Sequence, residues 1–164
     1  MQCSRRCCRL HALTSPLSEL SCAKAIVLGI TNMPQHAAGS HTFNDIFGTT
    51  SNPHDLTKSA GGSSGGSAAA LAAGAAWLAT GTDLGGSLRN PAAFCGIVGL
   101  RPSPGRCSAK QIRPTEWRGR WGVGLHSIQG PMARSVADLA LLLDARAFAG
   151  PRSLDLSIAQ PPPR

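Results

Sequence analysis

The sequence predicts an α/β chain, on three observations. An Ala-rich stretch without charge or proline, Gly66–Ala79, lies between two glycine-serine loops and reads as a helix. Short apolar runs at Ala23–Gly29 and Ile97–Leu100 are bounded by turn-forming residues, as buried strands are. Further on, Ser135–Ala149 carries apolar residues at helical spacing. With 164 residues, the chain is long enough for one domain with its own core.

Residues 1–22 differ from the remainder of the chain and are expected to be a disordered, atypical segment. They hold four of the six cysteines, Cys3, Cys7, Cys8 and Cys22, at spacings that match no paired zinc-ligand pattern. They lack the long apolar core of a secretory signal. A cytoplasmic chain is therefore expected, with no disulfides and with Cys95 and Cys107 reduced and structural. In Ala23–Gly29, Ile26 and Val27 centre the apolar run, and Thr31-Asn32-Met33-Pro34 ends it. His36, His41 and His54 are scattered through polar sequence without the convergence a metal needs, so they read as loop or capping histidines and no metal is expected. Gly39–Ser51 is polar, with Phe43, Ile46 and Phe47 as candidate anchors. Asn52-Pro53-His54-Asp55 reads as a turn.

The Ala-rich helix is apolar on every side, which predicts full burial. The loop before it, Gly61-Gly62-Ser63-Ser64-Gly65, lets backbone amides approach a bound atom at the positive end of a helix dipole. After the helix, Thr80–Leu84 reads as a returning extended segment. A 14-residue helix rises about 21 Å, and six extended residues cover about 20 Å, so Ser87 comes back beside Ser63. Its own loop, Leu84-Gly85-Gly86-Ser87, offers several N–H groups at one point, as an oxyanion requires. The plain alternative is two flexible glycine-serine turns.

Two other motifs compete for the first loop. Gly62-Ser63-Ser64-Gly65-Gly66 satisfies G-x-S-x-G with Ser64 central, the pattern of a nucleophile elbow. That reading needs a preceding strand, for which Leu56–Ala60 is a poor candidate, and a later histidine, for which only His126 is available. A P-loop is weaker, because Ser67 stands where its lysine belongs.

Beyond Ser87, Pro91–Cys95 predicts a helical turn with proline at its first position, and Ile97–Leu100 a strand ended by Arg101-Pro102-Ser103-Pro104-Gly105. Residues 106–123 are polar, basic and Trp-containing, and read as a surface loop. In Ser135–Ala149, Ser135 and Asp138 make an S-x-x-D start. Val136, Leu139, Ala140, Leu143 and Ala147 form the apolar stripe, and Gly150-Pro151 stops the helix. The tail, 151–164, is Pro-rich and expected to be disordered. The formal charge of +8, from 16 basic and 8 acidic residues, raises the question of nucleic acid. The basic residues form no dense run and aromatics make up only 4% of the chain, so a solvated basic face is expected instead.

Together these residues resemble the amidase signature family. Gly61-Gly62-Ser63-Ser64-Gly65-Gly66-Ser67 is similar to its first block, and Gly81-Thr82-Asp83-Leu84-Gly85-Gly86-Ser87-Leu88-Arg89 with Pro91-Ala92-Ala93-Phe94-Cys95-Gly96 to its second. The similarity extends over roughly residues 23–149. The resemblance implies part of a mixed β-sheet core flanked by helices, a partial domain over 23–150, and metal-free, cofactor-free hydrolysis of a small amide by a Ser-Ser-Lys triad. Ser87 matches the nucleophile. Ser63 matches the bridging serine, which follows a cis peptide bond. The amides of Leu84, Gly85 and Gly86 match the oxyanion hole, and Asp83, Arg89 and Thr82 match structural positions at the site. The family's lysine lies far upstream of the first block. Lys24 and Lys58 alone precede Ser63, too near and in the wrong context, which places the family position before Met1. Without that base a serine hydroxyl is a weak nucleophile. The 164 residues are therefore expected to be a piece of an enzyme, inactive by itself. Alternatively they are a non-catalytic remnant that binds a partner or self-associates through open sheet edges, or a subunit-like piece of a glutamine amidotransferase. No membrane or nucleic-acid partner is expected.

Overall fold

The computed structural model describes residue 20, residues 24–104, residues 106–107 and residues 127–148, with 147–148 as backbone only. The expectations for most of residues 1–22, for the loop 108–123, for the stop at Gly150-Pro151 and for the tail lie outside these residues.

A short 3-10 turn at Gln35–Ala37 comes first, followed by two small hairpins. Phe43–Asn44 (β1) pairs antiparallel with Gly48–Thr49 (β2), and Ser51–Asn52 (β3) pairs antiparallel with Asp55–Ser59 (β4). The turn between β3 and β4 is the expected Asn52–Asp55: Asn52 Oδ1 accepts from the His54 N–H at 3.0 Å, and Asp55 Oδ1 accepts from the Thr57 N–H at 3.0 Å. The turn sets up pairing with β3, so most of the Leu56–Ala60 stretch, through Ser59, is strand, against expectation. Helix α1 follows at Gly65–Ala72, then strand β5 at Leu78–Asp83, helix α2 at Arg89–Cys95 and strand β6 at Val98–Gly99. Strand β7 (Ile128–Ala133) and helix α3 (Val136–Phe148) complete the described elements.

The main sheet has the order β5-β7-β6, antiparallel throughout, with the late strand β7 in the middle and buried along its whole length. Helix α1 packs on β5 and α2, and α3 packs on β7. The core lies between them: Leu71 of α1, Leu88, Ala92 and Cys95 of the α2 region and Met132 of β7, with Ala60 and Ala68. Gly81 on β5 sits opposite Gly130 on β7. A Cβ at Gly81 would fall 2.8 Å from Leu88 Cδ2 and 2.9 Å from Ser64 Cβ, so glycine is what lets the serine loop lie on the strand.

The α/β class and the helix-flanked mixed fold are as the sequence predicts, but several elements differ. Helix α1 ends at Ala72, not Ala79. Gly74 takes φ +74°, and its N–H bonds Leu71 O at 3.0 Å, closing the helix with a left-handed residue. Strand β5 consequently begins at Leu78, and Trp77 is exposed. The described part of the expected strand, residues 24–29, is neither strand nor buried: Ile26 is 87% exposed, because among the described residues nothing packs over it. Phe43, Ile46 and Phe47 are also exposed rather than anchored, since their hairpin is held by polar bonds from Asn32 and Asn44. Pro91 is the third residue of α2; a missing N–H costs nothing in a first turn. The Ile97–Leu100 strand contracts to two half-buried residues. Ser135 does cap α3, accepting from the Asp138 N–H at 3.1 Å. The buried stripe, however, is Leu139, Leu142 and Arg146, while Val136 and Ala140 face outward and the side chain of Ala147 lies outside the described set. With leucine at 139, 141, 142 and 143, composition does not single out one face, and contact with β7 selects it. Among the described residues no helix is long and apolar enough to cross a membrane.

Candidate active site

Strand β4 and helix α1 hold the first serine loop between them, and β5 and α2 hold the second. The Gly62–Ser63 peptide bond is cis, as the resemblance implies, and Ser63 is buried. The two loops meet through backbone: the Ser64 N–H donates to Ser87 O at 3.3 Å. The Ser64 hydroxyl donates to Thr82 O at 3.4 Å, and the Ser67 hydroxyl to Thr80 O at 3.1 Å, so β5 is stitched to the first turn of α1. Ser87 therefore returns beside the first loop even though the helix is shorter than expected: the chain turns over residues 73–77 and runs back as β5 from Leu78. Among the described residues no hydrogen bond joins the Ser63 and Ser87 hydroxyls, and no lysine bonds either serine. Lys58 pairs instead with Asp55 at 3.2 Å on the exposed hairpin.

Asp83, fully buried at the end of β5, shapes the second loop. Its Oδ1 accepts from the Gly86 N–H at 2.8 Å and its Oδ2 from the Leu88 N–H at 3.1 Å. Arg89 grips the same carboxylate with Nε and Nη2, both at 3.0 Å. Arg101 adds Nη1 to Oδ1 at 3.2 Å and also bonds Asp83 O. Burial alone would raise the Asp83 carboxyl. The Arg89 bonds, the Gly86 and Leu88 amides and the Arg89 charge outweigh it and hold the group well below the usual carboxylate range. The half-exposed Ser87 sits in the turn that these bonds close, with the Asn90 N–H on Gly86 O at 2.7 Å.

The three amides expected for an oxyanion fall into two groups. Leu84 and Gly85 are exposed, and their N–H groups bond nothing among the described residues. The Gly86 N–H is occupied by Asp83. Thr82 contributes its carbonyl, not its side chain, to the contact with the first loop. Sequence reasoning missed two residues here. Arg101 stands 18 residues from Asp83 and reads in the sequence only as the end of a strand, with no signal of charge pairing. Thr42, one polar residue in a polar stretch, gave no signal.

The Ser64 elbow gains a preceding strand in β4, but its hydroxyl is directed at Thr82 O, and His126 lies outside the described residues. His41 bonds Ser59 Oγ at 2.8 Å and His54 bonds Cys95 O at 3.0 Å, both as loop histidines. No group of three or more possible metal ligands occurs among the described residues. Cys95 is buried, which pushes its thiol up from the ordinary value.

The Amidase family model matches residues 17–162. The chain is 48% identical over 152 residues to the A subunit of the glutamyl-tRNA(Gln) amidotransferase of Thermus thermophilus, covering 90% of this chain and 30% of that one. Among solved structures it resembles 6-aminohexanoate cyclic dimer hydrolase in complex with substrate (TM-score 0.73, 39% identity, 84% of this chain and 27% of that one). It also resembles a bacterial aryl acylamidase of the amidase signature family (TM-score 0.68, 37% identity, 83% and 27%). The chain thus spans about 30% of the length of the curated relatives it matches.

Proposed function

This chain belongs to the amidase signature family, and from that premise we propose that it carries the nucleophile-bearing part of an enzyme that hydrolyses amide carbon–nitrogen bonds. One observation carries the reading. The Asp83 carboxylate fastens the Gly86 and Leu88 amides, and the Ser64 N–H fastens Ser87 O, so Ser87 is presented half-exposed against the Ser63 loop. In the complete protein Ser87 Oγ attacks the amide carbonyl. Its proton passes to Ser63 and on to a lysine base supplied from outside the described residues. The amides of Leu84 and Gly85 hold the developing oxyanion, with Gly86 joining them only if it leaves Asp83. The departing amine takes the proton back, and water then cleaves the ester formed on Ser87.

The substrate is a small amide, the protein is cytoplasmic, and no cofactor enters the reaction. The Thermus thermophilus relative's name adds a narrower possibility, an amidotransferase component that releases ammonia from an amide. A second reading, a non-catalytic piece that binds a partner or a second copy, draws on the exposed Ile26, Leu28 and Ile30 and on the edge strands β5 and β6. The test is to react the full-length protein carrying this segment with a fluorophosphonate and map the adduct by mass spectrometry. A single adduct on Ser87, lost in Ser87→Ala together with at least about a thousandfold in kcat, is expected. A folded protein with no adduct and no amide hydrolysis rules the enzyme out and leaves the second reading.

A further inference from the structure

Thr42 lies in the polar stretch before β1 and is 1% exposed. Its main chain is tied to the hairpin, with the Thr50 N–H on Thr42 O at 2.9 Å. Its side chain reaches the first serine loop. Thr42 Oγ1 is 2.9 Å from Gly61 O and 3.4 Å from Ser63 O, either of which its proton can serve. The same oxygen accepts from the Gly65 N–H at 3.1 Å. One hydroxyl thereby spans the loop from Gly61 to the first residue of α1, with Ser63 in between. Glycine at 65 is what admits it, because a Cβ there would lie 2.9 Å from Thr42 Cβ. No other described side chain bonds the loop on both sides of Ser63. The exposed His41–Ser59 pair reaches only the Gly61 N–H, at its near end.

We propose that Thr42 is a positioning residue for the reaction. Its hydroxyl holds the Ser63 loop in one arrangement beside the Ser87 loop, from which the two hydroxyls can be brought together in the reaction. The proposal rests on Ser87 being the nucleophile and Ser63 its proton relay. The physical basis is that a bond network closed around one buried oxygen leaves the loop a single arrangement, and a displacement of about 1 Å between reacting groups can cost about a hundredfold in rate. Valine keeps the shape of threonine and removes the hydroxyl. It leaves the Gly65 N–H without its acceptor in a buried place, so the loop shifts to find another. Serine keeps the hydroxyl and drops only the methyl.

The experiment compares Thr42→Val and Thr42→Ser in the full-length protein. It reads kcat and KM for amide hydrolysis, the rate of fluorophosphonate reaction at Ser87, and hydrogen exchange at the Gly65 amide. Expected for Thr42→Val is a kcat lower by at least about tenfold with KM within about twofold, and faster exchange confined to residues 61–65. Thr42→Ser returns kcat to within about threefold of the parent. A folded Thr42→Val protein with unchanged kcat overturns the proposal. So does a Thr42→Val protein that does not fold, because Thr42 then holds the chain together rather than Ser63 in place. If the parent itself neither hydrolyses amides nor reacts at Ser87, the reading of Ser87 falls. Gly65 exchange then decides the Thr42 contact by itself: unchanged exchange in Thr42→Val removes it, and faster exchange keeps it.

Discussion

Replacing Asp83 by Asn changes one atom in a buried group that accepts from five side-chain and backbone donors. The new amide keeps one acceptor oxygen. Turned toward Gly86, it still serves the Gly86 N–H, Arg89 Nη2 and Arg101 Nη1, while an NH2 group faces the Leu88 N–H and Arg89 Nε. The Leu88 N–H, buried, loses a bond to a charged acceptor, worth about 2 kcal/mol. The bond from the partly buried Arg101 weakens from charged to neutral, about 1 kcal/mol more. The Arg89 side chain is 56% exposed and water replaces much of what it loses, so it adds little. The sum is about 3 kcal/mol, read in the full-length protein as a lower urea midpoint at unchanged slope. Ser87 labelling should slow in parallel. The pH dependence has a definite sign. The folded Asp83 pKa is depressed, so its contribution is complete above the unfolded value of about 4 and is lost as pH falls from there toward the folded value. The parent and Asp83→Asn curves should therefore run parallel from pH 7 to about 5 and converge below about 4. A variant with the parent's midpoint and labelling rate would refute the role of Asp83 as the clasp of this loop.

Two further predictions concern the scaffold. Gly74→Ala puts a Cβ on a residue at φ +74° and should destabilise by about 1–2 kcal/mol, measured by urea unfolding; a neutral or stabilising result would mean that α1 can run on past Ala72. Leu71→Ala empties a fully buried site in the core between α1 and the sheet and should cost about 2–5 kcal/mol, with Ser87 still reactive in the folded fraction.

The site was more legible than the scaffold around it. Gly61–Ser64 and Leu84–Ser87 carry their geometry in their glycines; Ser87 does return to the first loop, but past a helix of 8 residues and not the 14 on which the length argument rested. The end of α1 was not legible, because alanine runs through the helix and past it, and only the φ of Gly74 separates the two parts. The run Ala23–Gly29 shows what apolarity alone leaves open: it states a demand for a neighbour, not that one is present. Arg101 and Thr42 escaped for a different reason. Each acts on a loop 18 or more residues away through a few polar contacts, and such contacts leave no periodic trace in the sequence.

The strand order has a consequence for how the site comes into being on the ribosome. Strand β7, which holds β5 and β6 together, is made last of the three. At ordinary synthesis rates roughly 2–9 s separate the emergence of Asp83 from that of Ile128. Through nearly all of that interval both serine loops are outside the exit tunnel, while β5 lacks its partner β7. The nascent chain therefore exposes the unpaired edge of β5 when its serine loops are already made. A chaperone that covers β5 while residues 84–127 are made would raise the yield of folded protein.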